Sequence, residues 1–388
     1  MAKLNEIFIK SFSGEWGAED LDGTGTPVLR TTNFTNHGVI NYTDVVTRNI
    51  KKKNISDKYL SKGDIIIEKS GGSDKQPVGR VVFFDGEEGK YLFNNFTGLL
   101  RVKNKDEWLP RYVFYALFAN YCVGGTRRYE NRTTGLHNLQ LDAYLSGTEI
   151  KKRNYEIQIE IVNNLDKVSE LIGRFKEQLQ DFDLLIKSRF IEMFGDKDYP
   201  HKKLAEVACI CSSKRIYANE YVSEGVPFYR SKEIRELGDG KRPSVELFIS
   251  SEKYNFLKAR FGVPQKGDIL IAAIGATIGY MWVINTDNPF YYKDGNLILI
   301  SDFRELNSMY LEFVLKKLIS KFKEQGAAGS AQLALTIEKV EKMEVAVPPI
   351  ELQNQFADFV EQVNKSKFTH CYELLLLIIK KIWYNNYV

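Results

Sequence analysis

The stretch Lys62-Gly63-Asp64-Ile65-Ile66-Ile67 recurs as Lys266-Gly267-Asp268-Ile269-Leu270-Ile271, 266 − 62 = 204 residues later. Glycine accepts a positive φ and an aspartate carboxylate bonds to nearby backbone, so each stretch predicts a tight turn that leads into an apolar strand. Recurrence at so long a period indicates that one folded unit occurs twice in the chain.

Other segments repeat in the same order at nearly the same separation. Residues 3–6 return as 203–206, residues 25–30 (Gly-Thr-Pro-Val-Leu-Arg) as 225–230 (Gly-Val-Pro-Phe-Tyr-Arg), Gly79 as Gly279, residues 138–141 as 332–335, and residues 161–168 as 356–363. Insertions and deletions in surface loops explain the drift of the offset. We call residues 1–152 the first copy and residues 197–347 the second copy. Each has short β-rich runs followed by an apolar helical stretch, such as residues 112–121, which predicts an α+β fold.

Each copy is followed by a segment with a heptad-like stripe of apolar residues, 153–196 after the first and 348–388 after the second. Such a stripe predicts a long helix that packs on another helix. At 1.5 Å per residue the first helix, over residues 157–193, would be about 55 Å long. The predicted seam residues are Ile161, Leu165, Val168, Ile172, Phe175, Leu179, Phe182 and Ile186 in the first helix and Phe356, Val360, Val363, Leu375 and Ile378 in the second.

The simplest partner for the first helix is the second helix of the same chain. Because each helix follows its own copy, an antiparallel pair would place the copies at opposite ends, related by a pseudo-twofold axis. The sequence thus predicts two similar β-rich domains separated by an antiparallel pair of long coiled-coil helices. An intermolecular coiled coil is the alternative.

Composition narrows the class of protein. A chain of 388 residues with 44% hydrophobic and 27% charged residues suits two globular domains with connecting elements. A net charge of +4 is compatible with a nucleic-acid partner without arguing for one. Four cysteines, paired in spacing only at Cys209 and Cys211, fit neither a disulfide framework nor a zinc site and favour the cytoplasm. The apolar run at residues 374–379 is too short to span a bilayer.

The order of these motifs, occurring twice, resembles that of a specificity subunit of a type I restriction-modification system. The resemblance rests on the Gly-x-Pro-x-x-Arg segments, the Lys-Gly-Asp-Ile turns, Gly79 and Gly279, and the Pro-Pro-x-x-x-Gln segment that ends at Gln353. The first long helix departs from the pattern, because Lys-Lys-Arg-Asn at residues 151–154 replaces the proline pair.

The resemblance implies two target-recognition domains, each of which reads one half of a bipartite, gapped DNA target. It also implies that the helices fix the spacer and dock two methyltransferase subunits, through which restriction subunits join. S-adenosylmethionine is then expected on the methyltransferase, and this chain is expected to bind no cofactor.

The residues that could contact DNA carry cations, amides or an aromatic ring, because arginine, asparagine and glutamine read base edges and lysine and arginine bind phosphates. We favour residues 127–132 as a contact loop after a helix; the alternative is a solvated turn. The matched arginines Arg30 and Arg230 suit a shared structural or phosphate-binding role. The candidates are Arg30, Lys69, Lys75, Arg127, Arg128, Tyr129, Asn131 and Arg132 in the first copy and Lys214, Arg215, Arg230, Lys232 and Gln332 in the second.

Enzymatic functions find no support in the sequence. No G-x-x-x-x-G-K-[ST] motif occurs, no glycine-rich turn joins a strand to a helix, and Asn-Pro-Phe-Tyr at residues 288–291 lacks the second proline of a methyltransferase loop. The four histidines have no partner spacing, so we expect neither a catalytic residue nor a metal ligand. Two alternatives stay open: a protein-interaction scaffold with duplicated domains, and a specificity subunit for a fused methyltransferase-nuclease.

Overall fold

The computed structural model describes residues 1–133, 136–195, 197–326 and 334–385, and the side chains it describes exclude those of residues 132–133, 325–326, 372 and 377–385. The chain forms two compact units, Met1–Gln178 with His370–Val388 and Leu179–Thr369. Each unit holds one β-rich copy with parts of both long helices. The predicted α+β fold with two long helices is confirmed.

The first unit is built mainly of short strands around one apolar helix. Its strands are β1 (Ala2–Lys3), β2 (Phe12–Ser13), β3 (Ala18–Glu19), β4 (Thr26–Leu29), β5 (Val46–Asn49), β6 (Ile65–Glu68), β7 (Ser70–Gly72), β8 (Val81–Phe83), β9 (Leu92–Phe93), β10 (Thr97–Leu100), β11 (Glu130–Thr133), β12 (Leu136–Leu139) and β13 (Glu149–Ile150). Its helices are α1 (Leu4–Ile7), α2 (Pro110–Cys122) and α3 (Leu141–Gly147), and it shares α4 (Tyr155–Phe194) with the second unit.

The central sheet of the first unit has the order β2-β10-β6-β8 and is antiparallel. Ile65 and Ile67 face the core that contains α2, whereas Ile66 points to the opposite face and packs with Leu29. Successive side chains of a strand point to opposite faces, so a strand buried on both faces needs a continuous apolar run. This arrangement explains the Ile-Ile-Ile sequence.

The second unit repeats these elements. Its strands are β14 (His201–Lys203), β15 (Cys209–Cys211), β16 (Tyr221–Val222), β17 (Val226–Tyr229), β18 (Phe248–Ile249), β19 (Ile269–Ala272), β20 (Met281–Val283), β21 (Tyr291–Tyr292), β22 (Leu297–Ser301) and β23 (Glu344–Ala346). Its helices are α5 (Leu204–Val207), α6 (Ser231–Gly238), α7 (Ser251–Phe261), α8 (Ser308–Gly326), α9 (Ile337–Glu341) and α10 (Ile350–Asn385), of which α10 continues into the first unit.

Sheet topology shows that the two copies have the same fold. The order β15-β22-β19-β20 matches β2-β10-β6-β8, and β16-β18-β17-β21 matches β3-β5-β4-β9. In the second sheet of each copy, β3-β5-β4-β9 and β16-β18-β17-β21, the last two strands are parallel, with Val28 opposite Leu92 and Phe228 opposite Tyr291. The duplication inferred from the sequence is therefore a duplication of structure.

The two Lys-Gly-Asp turns have the same geometry. Gly63 and Gly267 have φ values of 93° and 96°, in the region that favours glycine. The carboxylate of Asp64 accepts from the backbone N–H of Ser61 at 2.7 Å, and that of Asp268 accepts from Gln265 at 2.8 Å. Both roles predicted for this motif, the positive φ and the bonding of the aspartate to backbone, are present in each copy.

Each long helix carries a buried glutamine in its first turn. Gln158 accepts a hydrogen bond from the backbone of Leu109 at 2.8 Å and donates to the carbonyls of Glu107 and Arg153, each at 2.9 Å. Gln353 makes the corresponding three bonds, to Asn307, Glu305 and Pro348. The first helix therefore keeps the glutamine of the family-like segment although it lacks the prolines.

The start of α4 packs on the core of the first copy. Leu165 and Val162 are buried among the residues that surround α2, and Ile161 lies against the same cluster. Ile161 and Leu165, predicted as seam residues, therefore contact the domain core. An apolar stripe shows which face is buried but does not identify what covers that face.

A helix pair does form in the second unit. Ile186 of α4 is buried with Phe356, Val360 and Val363 of α10, and Phe182 lies at the edge of this cluster. Asp183 bonds Lys367, and the rings of Phe190 and Phe356 lie 5.4 Å apart, so the two segments run antiparallel.

Seam residues nearer the start of α4 are less covered. Val168 is buried, Ile172, Phe175 and Leu179 are half-buried, and the ring of Phe175 lies 5.5 Å from that of His370. Leu375 is 52% exposed, so its predicted place in the seam is wrong. The side chain of Ile378 lies outside the described residues. Across the described ranges, no helix has the length and apolarity needed to cross a membrane.

Candidate nucleic-acid interface

The small sheet β7-β12-β11 gathers most of the polar residues predicted to contact DNA in the first copy. Its strands pair antiparallel, with Asn131 opposite Asn138 and Asn138 opposite Ser70. Lys69 immediately precedes β7, and its carbonyl accepts from the backbone of Leu139 at 2.8 Å. Side chains more than sixty residues apart in sequence therefore lie on one sheet.

The segment predicted as a contact loop has regular structure instead. Arg127–Tyr129 form a turn of 3-10 helix and Glu130–Thr133 form β11. The prediction of a loop was wrong because polar strand residues give little hydrophobic alternation, and pairing with β12 supplies the backbone bonds that stabilise them. The side chain of Arg132 lies outside the described residues.

Arg127 contacts the loop that carries Lys75. The guanidinium of Arg127 donates to the backbone carbonyl of Asp74 at 3.1 Å, and Lys75, the next residue, is exposed. Nearby, Glu130 accepts from the backbone of Val78 at 3.0 Å and contacts the ring of His137 at 2.9 Å. These bonds fix the loop of residues 73–78 against the sheet.

Arg128 is exposed, and its guanidinium lies over the ring of Tyr129, 4.8 Å from the ring centre. The Tyr129 ring packs edge-on against buried Tyr144. Tyr129 therefore supports Arg128 from the core side. No carboxylate within the described ranges pairs with Arg128.

Lys69 is a half-buried cation with a neutral partner. Its ammonium donates to the hydroxyl of Ser13 at 2.9 Å, and within the described part of the chain it meets no carboxylate. Burial, together with the nearby charge of Lys58, lowers the pKa of Lys69 below its usual range. An anionic ligand would stabilise the charged form of this lysine, because a nearby opposite charge offsets the free-energy cost of burying the ammonium.

We call Lys69, Lys75, Arg127, Arg128 and Asn131 the basic surface.

Arg30 and Arg230 have acidic partners. The guanidinium of Arg30 bonds the carboxylate of Asp44 at 3.1 Å. That of Arg230 bonds Glu233 and Glu246, each at 2.9 Å, and both pairs raise its pKa. The backbone N–H of each arginine also donates to the side chain three residues on, 2.9 Å to Asn33 Oδ1 and 2.8 Å to Glu233 Oε2. The matched arginines share a structural role at the end of an equivalent strand.

In the second copy, Lys214 is the candidate cation that lacks an acidic partner among the described residues, and its ammonium lies 4.8 Å from the ring centre of Phe261. Arg215 pairs with Asp294 at 2.8 Å and Lys232 pairs with Glu246 at 2.7 Å. Gln332 lies outside the described residues. Arg260, which the sequence analysis missed, is exposed beside the same Phe261 ring, 5.5 Å from its centre.

Gly79 sets the position of the segment that carries Arg127. It has φ +102°, and a Cβ atom at this position would lie 2.7 Å from the side chain of buried Thr126. Gly279 has φ +81°, and a Cβ there would lie 2.6 Å from Ile319 of α8. In both copies this glycine allows close approach to the apolar helix or to the segment that follows it, which explains its recurrence.

Across the described residues, no group of three or more histidine, cysteine, aspartate or glutamate side chains is placed to hold a metal ion. The geometry offers cations, amides and aromatic rings on two copies of one fold. Such a surface suits binding to a polyanion.

Comparison with known proteins identifies the class. Residues 196–370 match the family described as type I restriction modification DNA specificity domain. A Haemophilus influenzae protein described as a type I restriction enzyme specificity subunit is 26% identical over 290 residues, which cover 71% of this chain and 69% of that protein. This chain is therefore similar to specificity subunits of type I restriction-modification systems, and its second copy matches their DNA specificity domain.

Solved structures extend the similarity of fold over the whole chain. The S subunit of a type I restriction-modification system from M. genitalium has a TM-score of 0.58 at 16% identity, covering 99% of this chain and 94% of that one. A chain from a structural study of type I complex assembly and conformational transition has a TM-score of 0.59 at 15% identity, covering 99% and 96%.

Proposed function

We propose that each copy binds one half of a bipartite, gapped DNA target, with residues 1–152 and 197–347 as the two target-recognition domains. The observation that carries the proposal is the occurrence of one fold twice, with cations that lack acidic partners on each copy. Two copies of a binding domain suit two half-sites, and matched spacing between domains and half-sites is a geometric basis of recognition.

Within the basic surface, different side chains suit different parts of the duplex. Lys69 and Lys75 can bind phosphates, which supplies affinity and orientation without sequence preference. Arg128 can bond guanine and Asn131 can bond adenine in the major groove. In the second copy, Lys214 and Arg260 would take the phosphate contacts. Arg30, Arg215, Arg230 and Lys232 are weaker candidates because ion pairs already occupy their charges.

The long helices, in segments 153–196 and 348–388, would fix the spacer between the two half-sites. Several of their apolar side chains are exposed and would suit docking of two methyltransferase subunits, since uncovered apolar surface favours a partner. The exposed residues are Leu171, Leu184, Leu185, Ile191, Phe368, Leu375 and Leu376. Restriction subunits would join through the methyltransferases, which would carry S-adenosylmethionine, and the assembly would work in the cytoplasm.

A DNA-binding assay tests the basic surface directly. We expect Arg128→Ala, in the full chain assembled with its methyltransferase, to weaken binding to the target duplex at least about fivefold, because one bidentate base contact is worth about 1–3 kcal/mol. Arg174→Ala is the matched control, because Arg174 is an exposed arginine on α4 that pairs with Glu170. Equal affinity of both variants and the parent would remove Arg128 from the interface.

Methylome sequencing tests the function as a whole. We expect a host that expresses the chain with its methyltransferase to carry a gapped two-part methylation motif that disappears when only this chain is removed. An unchanged methylome with an active methyltransferase would favour the interaction scaffold. Copurification with one polypeptide that both methylates and cleaves would indicate a fused methyltransferase-nuclease as the partner.

A further inference from the structure

The second copy contains a cavity of about 510 Å³ next to its Lys-Gly-Asp turn. Its lining includes two carboxylates (Asp268 and Asp302), three aromatic rings (Tyr291, Tyr292 and Phe261), three serines, among them Ser301, and one lysine, Lys214. Acidic groups beside aromatic faces are the surroundings that organic cations prefer, because carboxylates and ring faces both attract positive charge.

The first copy shows which side chain pairs with the carboxylate equivalent to that of Asp268, namely that of Asp64. Arg101 places its guanidinium on Asp64, with Nε 2.8 Å from Oδ1 and Nη2 2.7 Å from Oδ2. The same guanidinium donates to the carbonyls of Asp57 at 3.2 Å and Tyr59 at 2.9 Å. The pair is nearly enclosed, since the Asp64 side chain is 3% exposed. A buried carboxylate needs such a partner, because removing its charge from water is costly.

The register of the sheets identifies the residue that replaces Arg101 in the second copy. Leu100 pairs with Ile65 in the first copy, and Ile300 pairs with Ile269 in the second. The residue after Leu100 is Arg101, and the residue after Ile300 is Ser301. Asp268 therefore keeps the position and the backbone bond of Asp64 but faces a serine, and within the described residues it makes no ion pair.

The groups around Asp268 replace only part of the missing guanidinium. The amide of Gln265 donates to the carbonyl of Val263 at 2.9 Å, which substitutes for the bond from Arg101 to Tyr59. Lys214 also lines the cavity, but its ammonium lies over the ring of Phe261. Burial, and to a lesser degree the charge of Asp302, raises the pKa of Asp268, as expected for a carboxylate that lacks a cation.

We infer that this cavity binds a guanidinium group supplied from outside the domain, with the Asp268 carboxylate as its anion. The planar fork of a guanidinium matches the two oxygens of a carboxylate, as Arg101 shows on Asp64, and the rings of Tyr291 and Tyr292 flank the site. The guanidinium can belong to a free small molecule or to an arginine side chain of a partner subunit.

The test uses n-butylguanidinium and its neutral isostere n-butylurea, titrated into the full chain by calorimetry. We expect the guanidinium to bind and the urea to bind at least tenfold more weakly. Asp268→Asn, which keeps the acceptor for the Gln265 backbone, should weaken guanidinium binding at least tenfold. Asp358→Asn, at an exposed position on α10, is the matched control and should bind like the parent.

Restoring the first-copy residue gives an independent check. We expect Ser301→Arg to abolish butylguanidinium binding and to raise the melting temperature, because the new side chain would occupy the cavity. Binding by a capped Gly-Arg-Gly peptide as tight as that of butylguanidinium would indicate a protein source, and binding of the small molecule alone would indicate a free ligand. Equal affinities of the parent and Asp268→Asn, or unchanged binding by a folded Ser301→Arg variant, would overturn the inference.

Discussion

Gln158 and Gln353 are equivalent buried glutamines, and each makes two hydrogen bonds that tie the start of a long helix to the loop before the apolar helix of its copy and a third to the residue five positions earlier in the chain. Both side chains are fully buried. The long helices are therefore anchored to their domains by the same polar device, although the residues before them differ.

We expect Gln158→Leu and Gln353→Leu each to lower the free energy of unfolding by at least about 2 kcal/mol, because a buried polar group left without a partner costs about 1–3 kcal/mol. Denaturant unfolding of the full chain measures this. Gln180→Leu, at an exposed position on α4, is the control and should unfold like the parent. A loss as small as that of the control would mean that the glutamine bonds contribute nothing to anchoring.

The repeated glycine gives a second prediction. We expect Gly79→Ala to destabilise the first copy by more than the roughly 1–3 kcal/mol of left-handed backbone strain, since its Cβ would also collide with Thr126. Gly89→Ala is the matched control, because Gly89 has φ +73° but nothing within 4 Å of the added atom. Thermal unfolding compares the two. Equal losses would show that Thr126 moves aside without cost.

Lys69 should contribute to DNA affinity through charge alone. We expect Lys69→Gln to weaken binding to specific and nonspecific duplexes by similar factors and to reduce the slope of log K against log salt by about 0.9, the value for one phosphate contact. Fluorescence anisotropy over a range of salt concentrations measures the slope. Lys105→Gln removes an exposed lysine with no proposed DNA contact and serves as the control. An unchanged slope for Lys69→Gln would argue against a phosphate at this site.

The ion pairs of Glu246 predict a pH dependence. Hydrogen bonds from Lys232 and Arg230 lower the pKa of Glu246 from 4.5 to about 2. A carboxylate with a depressed pKa stabilises the folded state above its unfolded pKa and loses that contribution as pH falls toward the folded pKa. We therefore expect the melting temperature of the parent to exceed that of Glu246→Gln by a constant amount from pH 7 to about 5 and the difference to shrink below pH 4.5. A difference that persists unchanged at pH 3 would contradict this assignment.

The sequence predicted the elements whose signals are local. The Lys-Gly-Asp turns follow from the backbone freedom of Gly63 and the capping ability of Asp64, and the long helices follow from apolar spacing. The partners of those helices did not follow, because the stripe at Ile161 and Leu165, which contacts the domain core, has the same spacing as the stripe at Ile186, which contacts α10.

The candidate site was less accessible from sequence because it depends on long-range pairing. Arg30 and Arg230 find carboxylates 14 and 16 residues further along the chain, at Asp44 and Glu246. Partners that lie so far apart in the sequence leave no short-range pattern from which the ion pair could be predicted. The strand that contains Asn131 is polar throughout, so its register against β12 is set by tertiary contacts and not by alternation of apolar residues.

The paired turns at Asp64 and Asp268 make the molecule a natural substitution experiment. One protein, in one solvent and at one temperature, holds the same carboxylate in the same backbone setting twice, once with a guanidinium and once with a serine beside it. Differences between the two carboxylates in titration, exchange or ligand binding can therefore be ascribed to the neighbouring side chains, because the backbone is common to both.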